Sequence, residues 1–381
     1  MSDLTISPVR NEPELLTFIT FPWKVYQGDP NWVPPLISER KEFLDRGKNP
    51  FFGHARAEYF LARRGEEVVG TIAALTNDRY NEFQGVNVGF FGFFEVLEDP
   101  EAASALLETA KTWARDAGHE SLVGPAQFCT NDEVGLLVDG FDDPPRILMT
   151  YNPRRYREYI EAAGFTKAMD LWAYEIEVEN FLDRAPEKLV RVVEKARKRR
   201  NFVVRSIDMS RFDQEVEAFK RIYNTSWERN WGFVPMSDAE IDHLAAQLKS
   251  IIDPELVLMV EYEGEVIAAS LCLPDLNQPL LRAYPRPGVP EPLTMLKLLW
   301  HWKVRREIDW LRVFALGVLP EYRGLGVDAM MYLETARRAV PKGYKRAEMS
   351  WILETNDMMN RAISLLGGRV YKTYRMYEIS F

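Results

Sequence analysis

The chain has 381 residues, 46% of them hydrophobic and 28% charged, with a formal net charge of −9. That length suits two domains, each large enough for its own core, and the acidic balance excludes a general nucleic-acid binder. Two isolated cysteines, Cys129 and Cys272, cannot form a disulfide framework, and His54, His119, His243 and His301 lack metal-ligand spacing, so no metal is expected.

The amino terminus has no apolar signal core, and no run of 18 apolar residues follows. A cytoplasmic protein without a transmembrane segment is expected. The pattern predicts a strand over 5–9, helices over 12–25 and 36–44, and a hairpin over 59–74 turning at Arg64-Gly65-Glu66. A strand over 86–96 and a helix over 100–118 follow. Leu106, Leu107, Ala110, Trp113 and Ala114 give that helix one apolar face. A linker helix over 181–200 closes on the basic run Lys195 to Arg200, which suits the negative end of a helix. Beyond it come a strand over 202–207, a helix over 211–224, and a helix over 238–252 opened by a Ser237–Glu240 capping box. A second hairpin over 256–271 turns at Glu263-Gly264-Glu265.

The two hairpins belong to an internal duplication. Ile160 to Ile176 and Ile363 to Ile379 both read as a helix end, a glycine stop and a long strand closing on Tyr-Glu-Ile. The interval from Gly164 to Gly367 equals that from Tyr174 to Tyr377, 203 residues. Two tandem domains of one α/β (α+β layered) fold follow: residues 1–180, the linker helix 181–200, and residues 201–381.

Residues 311–328, LRVFALGVLPEYRGLGVD, join an apolar strand to a helix through Pro320, Arg323, Gly324 and Gly326. Such a corner gathers unpaired backbone N–H groups at a positive helix end, a ready anion site. Its spacing is neither the dinucleotide nor the P-loop pattern. Val318, Pro320, Tyr322, Arg323 and Gly326 resemble the acyl-CoA signature of the GNAT superfamily of N-acyltransferases, with Asp328 replacing its final small residue. The whole layout is similar to tandem YghO-like GNAT proteins, with a weaker resemblance to bacterial ceramide synthases. At the equivalent corner of the first copy stands Glu95-Val-Leu-Glu98-Asp99-Pro100, acidic and without glycine, so that copy is expected to be degenerate for the cofactor.

The resemblance implies two mixed, mostly antiparallel twisted sheets flanked by helices, and acetyl-CoA or a longer acyl-CoA as donor. It implies pantetheine on the backbone of Leu316, Gly317 and Val318, pyrophosphate on Arg323, Gly324, Leu325, Gly326 and Val327, and a cofactor contact at Asn356. Many members place a tyrosine acid on the last helix; Leu365 and Leu366 stand there, leaving Tyr371 and Tyr374 as candidates. Candidate bases are Glu348, Glu354 and Glu133. Glu133 follows Asn131 in a loop-rich stretch and would act on the second site if the copies share a cleft, as tandem members do. Asn224, Trp227 and Trp231 suggest the wall of an acceptor pocket. The Pro285–Pro292 insertion and the apolar helix behind it, with Met295, Leu296, Leu298, Leu299 and Trp300, would cover an acyl chain or pack on the first copy.

The expected activity is transfer of an acyl group from CoA to a primary amine, with a long chain and a lipid or sphingoid amine as one form of it. An acyl carrier protein is an alternative donor, and peripheral membrane contact is compatible with the sequence. A non-catalytic CoA-sensing module and a Fem-type aminoacyl transferase are the alternatives. The second predicts a basic tRNA-binding surface, which the acidic balance disfavours. Gly326→Glu is expected to abolish CoA binding without unfolding the protein.

Overall fold

A computed structural model describes residues 3–228 and 230–381; the side chain of Arg199, in the basic run, lies outside the described residues. The first part of the chain runs β1 (Leu4–Pro8), α1 (Glu12–Thr20), α2 (Pro22–Val25), α3 (Ile37–Leu44), β2 (Ala55–Arg64), β3 (Glu67–Asn77), α4 (Asp78–Gln84) and β4 (Val88–Val96). It continues with α5 (Pro100–Asp116), β5 (Ser121–Gly124), β6 (Leu136–Asp139), α6 (Tyr156–Ala162) and β7 (Thr166–Glu177). The expected single helix over 12–25 divides here. Pro22 has no N–H to give and its ring collides with the preceding turn, so α1 stops and α2 restarts.

Then come α7 (Phe181–Arg184), α8 (Glu187–Arg200), β8 (Val203–Ser206), α9 (Phe212–Ser226), α10 (Asp238–Leu248), β9 (Val257–Tyr262) and β10 (Glu265–Pro274). The chain ends with α11 (Asn277–Ala283), α12 (Glu291–Leu299), β11 (Trp310–Val318), α13 (Val327–Ala339), β12 (Arg346–Leu353), α14 (Asp357–Leu365) and β13 (Arg369–Ser380). Ser237 and Glu240 form the capping box of α10 in both directions. The duplication survives in register, because β13 begins and ends 203 residues after β7.

The chain divides into two compact units. Unit 1 comprises residues 3–171, 277–306 and 372–381; unit 2 comprises 172–276 and 307–371. In unit 1 the strand order is β1-β2-β3-β4-β5, with residues 377–380 of β13 on β5 and residues 373–375 on β6. Only the β4–β5 rungs are parallel among the pairs just named. Leu106, Leu107, Ala110 and Ala114 of α5 are fully buried in this unit's core with Ile72, Phe91 and Leu122. Unit 2 repeats the order as β7 (residues 172–177), β12, β11, β10, β9, β8, with β11 and β12 parallel. Its core joins Leu258, Val260 and Ile267 to Met330, Met331 and Leu333 of α13. Both cysteines are buried, and burial pushes the Cys272 thiol up to about 11.

Candidate active site

The site begins where two parallel strands part. Trp310 to Val313 of β11 pair with Arg346 to Met349 of β12, and the ladder ends there although both strands continue. Among the described residues no backbone hydrogen bond joins Phe314–Val318 to Ser350–Leu353. A gap therefore opens, across which the main chains exchange no hydrogen bond; at its near end Arg312 Nη2 donates to Ser350 O at 3.4 Å.

A bulge sets what faces this gap. Against β10, Leu271 pairs with Ala315 but Cys272 pairs with Val313, so Phe314 is an extra residue on β11. An extra residue reverses strand alternation beyond it. Val313 and Leu316 consequently point to the same side, into a mostly apolar pocket that is partly open to solvent. Met349, Tyr332, Ala336 and Leu366 also line it, with Ser270 and Thr335 supplying hydroxyls.

The other side of the same strands is polar. Arg312 and Glu348 stand opposite each other one rung below the end of the ladder, both almost wholly buried. Glu348 Oε1 accepts from Ser350 Oγ at 2.5 Å and lies 3.8 Å from Arg312 Nε. Arg312 Nε donates to Ser350 Oγ at 3.0 Å. Tyr371 donates its hydroxyl proton to Glu348 Oε2. A buried carboxylate needs such partners to remain tolerable. Arg312 and Ser350 went unrecognised in the sequence. A lone arginine inside an otherwise apolar strand was the available signal, since a charge there demands a buried partner.

Gly317 lets α9 approach on this polar side. A Cβ there would lie 2.7 Å from Ile222 Cγ2, 2.8 Å from Ser226 Oγ and 3.1 Å from Trp227 Cη2. Trp227 packs against Tyr223 with ring centroids 4.9 Å apart and the planes tilted by 47°, and Trp231 is half-buried on the connection that follows. Asn224 is committed to the fold: its Nδ2 donates to Met236 O and its Oδ1 accepts from Met236 N, both at 3.1 Å.

The corner beyond β11 is open in a specific way. Gly326 is the N-cap of α13 and no side chain caps the helix. Gly324 has φ +72° and nothing within 4 Å of where a Cβ would stand. Asp328 makes no hydrogen bond or ion pair among the described residues; its charge, after burial, helps push the Tyr332 hydroxyl up. The Arg323 side chain does not reach into the corner. It donates to Val318 O at 3.2 Å and Ser226 O at 2.9 Å, tying the strand end to α9. Gly326 is buried, with φ +86°, and a Cβ there would lie 2.7 Å from Val192 Cγ1 of α8. The expectation that Gly326→Glu would leave the fold intact is thus corrected, since the side chain has no room. Gly324 is the cleaner probe.

Asn356 caps α14 by accepting from Met359 N at 3.2 Å. Asn360, also missed in the sequence, ties α14 to the end of β12: its Nδ2 donates to Leu353 O at 3.0 Å and to Glu354 O at 3.2 Å. Glu354 is half-buried at that strand end. Tyr374 is buried in unit 1, whereas Tyr371 belongs to unit 2. In unit 1, Glu133 Oε1 is held by Arg40 Nη2 at 2.6 Å, and Asn131 lies in the same turn, its N–H donating to Cys129 Sγ. Among the described residues no cluster of three or more His, Cys, Asp or Glu is placed to hold a metal ion.

No protein-family model matches the chain. Among solved structures it is similar to a tandem GNAT protein from the clavulanic acid biosynthesis pathway, with a TM-score of 0.55 and 13% identity. That match covers 99% of this chain and 98% of the other, and it defines the fold as a tandem GNAT fold. Closer in sequence is the bacterial ceramide synthase of Caulobacter vibrioides, 37% identical over 382 residues, covering 99% of this chain and 97% of that protein. Protein YghO of Escherichia coli is 34% identical over 373 residues, covering 97% and 93%. The chain belongs to the YghO-like family of tandem GNAT proteins.

Proposed function

We propose that unit 2 transfers an acyl group from a CoA thioester to a primary amine, and that the physiological acyl group is a long chain and the acceptor a sphingoid-type lipid amine. The observation that carries the reading is the gap between β11 and β12 running out at an uncapped helix start. A diphosphate fits that start because the N–H groups of α13 lack a side-chain acceptor and Gly324 leaves the approach clear. The long-chain form is supported by the apolar pocket beside the gap and by the name of the Caulobacter relative.

A CoA thioester supplies an acyl carbon with a thiolate leaving group. The chain's own residues do the rest. Strand alternation turns the main-chain groups of Leu316 and Val318 into the gap and that of Gly317 toward β10, since Leu319 N donates to Ile267 O. Leu316 and Val318 orient the donor, and one of their N–H groups polarises its carbonyl oxygen. Trp227 and Trp231 form a wall for the acceptor on the polar side of the strands. An attacking amine must lose a proton, and Tyr371 offers a relay: its oxygen takes that proton as its own passes to Glu348 Oε2. Ser350 and Arg312 hold the carboxylate in place for this exchange.

Thermal melts with CoA, acetyl-CoA and palmitoyl-CoA test the reading, because a ligand of the folded state raises the melting temperature, and at equal concentration a tighter one raises it more. Palmitoyl-CoA is expected to stabilise most, and thiol release is expected only on adding a long-chain amine. Absence of any shift with all three compounds would refute the donor site. A shift without thiol release would refute the enzyme.

A further inference from the structure

Residues 277–306 carry an apolar face with no partner in their own unit. Thr294 and Leu298 of α12 are buried, so that side of the helix is spent on packing. On the opposite side Leu293, Leu296, Trp300 and Val304 are 52%, 64%, 55% and 61% exposed. Their spacing of three, four and four residues places them along one stripe, through the π-helical turn Trp300–Val304. At 1.5 Å per residue the stripe is roughly 16 Å long.

The face is held outward by the fold. Trp23 Nε1 donates to Pro285 O at 2.7 Å, Asn277 Nδ2 donates to Pro145 O at 2.9 Å, and Ser38 N donates to Glu291 Oε2 at 3.1 Å. These bonds lie within unit 1 and pin the segment at its start, before α12 and at the first residue of α12.

Charge decides what the face fits. The segment holds six Lys and Arg against one Glu, a net of +5 in a chain of −9. Lys297 and Lys303 are exposed beside the stripe, and the one acid is turned to Ser38. Leucine and tryptophan on one face with cations along its edges are the chemistry of a helix lying in a lipid interface, and the cations favour anionic headgroups.

We propose that α12 and its π-turn dock this protein on the surface of an anionic bilayer, burying Leu293, Leu296, Trp300 and Val304 among the acyl chains. This is independent of the acyl-transfer reading, since it uses none of the residues around the β11–β12 gap.

The test is co-sedimentation of the full-length protein with vesicles of equal phosphatidylglycerol and phosphatidylcholine, and with phosphatidylcholine alone. Binding to the mixed vesicles is expected to exceed binding to the neutral ones by about tenfold and to weaken in salt. Leu296→Glu with Trp300→Glu should abolish it, and Lys297→Glu with Lys303→Glu should remove the anionic preference. Both pairs lie on the surface, so unchanged melting temperatures check their folding. Because Cys129 and Cys272 are buried, Leu296→Cys also takes an environment-sensitive dye selectively, and its emission should shift to the blue on the mixed vesicles. The proposal fails if the wild-type protein stays in solution with both vesicles, or if the glutamate pair binds as well as wild type. It also fails if that pair splits an oligomer seen by light scattering, which would make the stripe a contact between copies of the chain.

Discussion

The two strand-to-helix corners of the duplicated fold have the same layout and opposite chemistry. In unit 1, β4 runs to α5, whose N-cap Asp99 accepts from Ala102 N. Arg64 grips both oxygens of Asp99, at 2.6 and 2.9 Å, and also reaches Glu101. The helix start therefore already holds an anion of its own. The strand gap is shut as well: Ala126 N donates to Phe91 O at 2.8 Å, and a Cβ on Gly92 would stand 1.9 Å from Ala126 O. In unit 2 the cap is a glycine, the ladder stops at Val313, and among the described residues no backbone hydrogen bond crosses the gap beyond it. One scaffold can thus carry an open corner or a closed one, the closure made by a capping carboxylate and one returning segment of chain.

The comparison breaks most sharply at Glu348. Glu348→Gln is expected to lower the rate of thiol release by about 10²–10³-fold with donor binding retained, measured by turnover and by thermal shift; equal loss of both would make the residue structural. Next in size is Gly317→Val, which drives a side chain into Ile222 and Ser226. Overpacking of this kind costs about 1–3 kcal/mol, readable in chemical denaturation, and a wild-type stability would mean that α9 lies farther from β11. Gly324→Glu should weaken CoA binding by about tenfold through like-charge repulsion, while Gly324→Asn, uncharged and tolerant of positive φ, should not. Equal effects of the two would move the diphosphate elsewhere.

The smallest effect belongs to unit 1. Hydrogen bonds from Arg64 hold the Asp99 carboxyl below the usual carboxylate range. A depressed acid stabilises the fold above its unfolded pKa, about 3.9, and that stability is lost as pH falls through the folded value. Asp99→Asn should therefore lower the melting temperature slightly at pH 7, and the difference from wild type should vanish in acid. CoA affinity should not change. A mutant that gained affinity for CoA at unit 1 would show that the cap alone had closed that corner.

Much of the scaffold was legible because its signals are local. The Tyr-Glu-Ile strand endings, the glycine stops at 164 and 367 and the two hairpins each need only neighbouring residues, and the register they gave holds along the whole of β7 and β13. The glycine-rich corner was legible for the same reason. What escaped depends on pairing across the sheet. The bulge at Phe314 exists only relative to β10, and the Arg312–Ser350–Glu348 cluster joins positions 38 residues apart on parallel strands. Asn224 and Arg323 have the chemistry of ligand contacts, yet their hydrogen bonds are taken up by main-chain carbonyl and amide groups.

Unit 1 finishes its sheet with residues from the far end of the chain: Tyr377 to Ser380 pair with β5, and the buried Lys372 ammonium donates to Gly140 O and Asp143 O. On the ribosome, β5 must wait for its neighbour until about 250 further residues have been made. Residues 3–171 expressed alone would lack two segments of their own unit, 277–306 and 372–381, so the duplicated chain can no longer be cut at its middle into two complete copies.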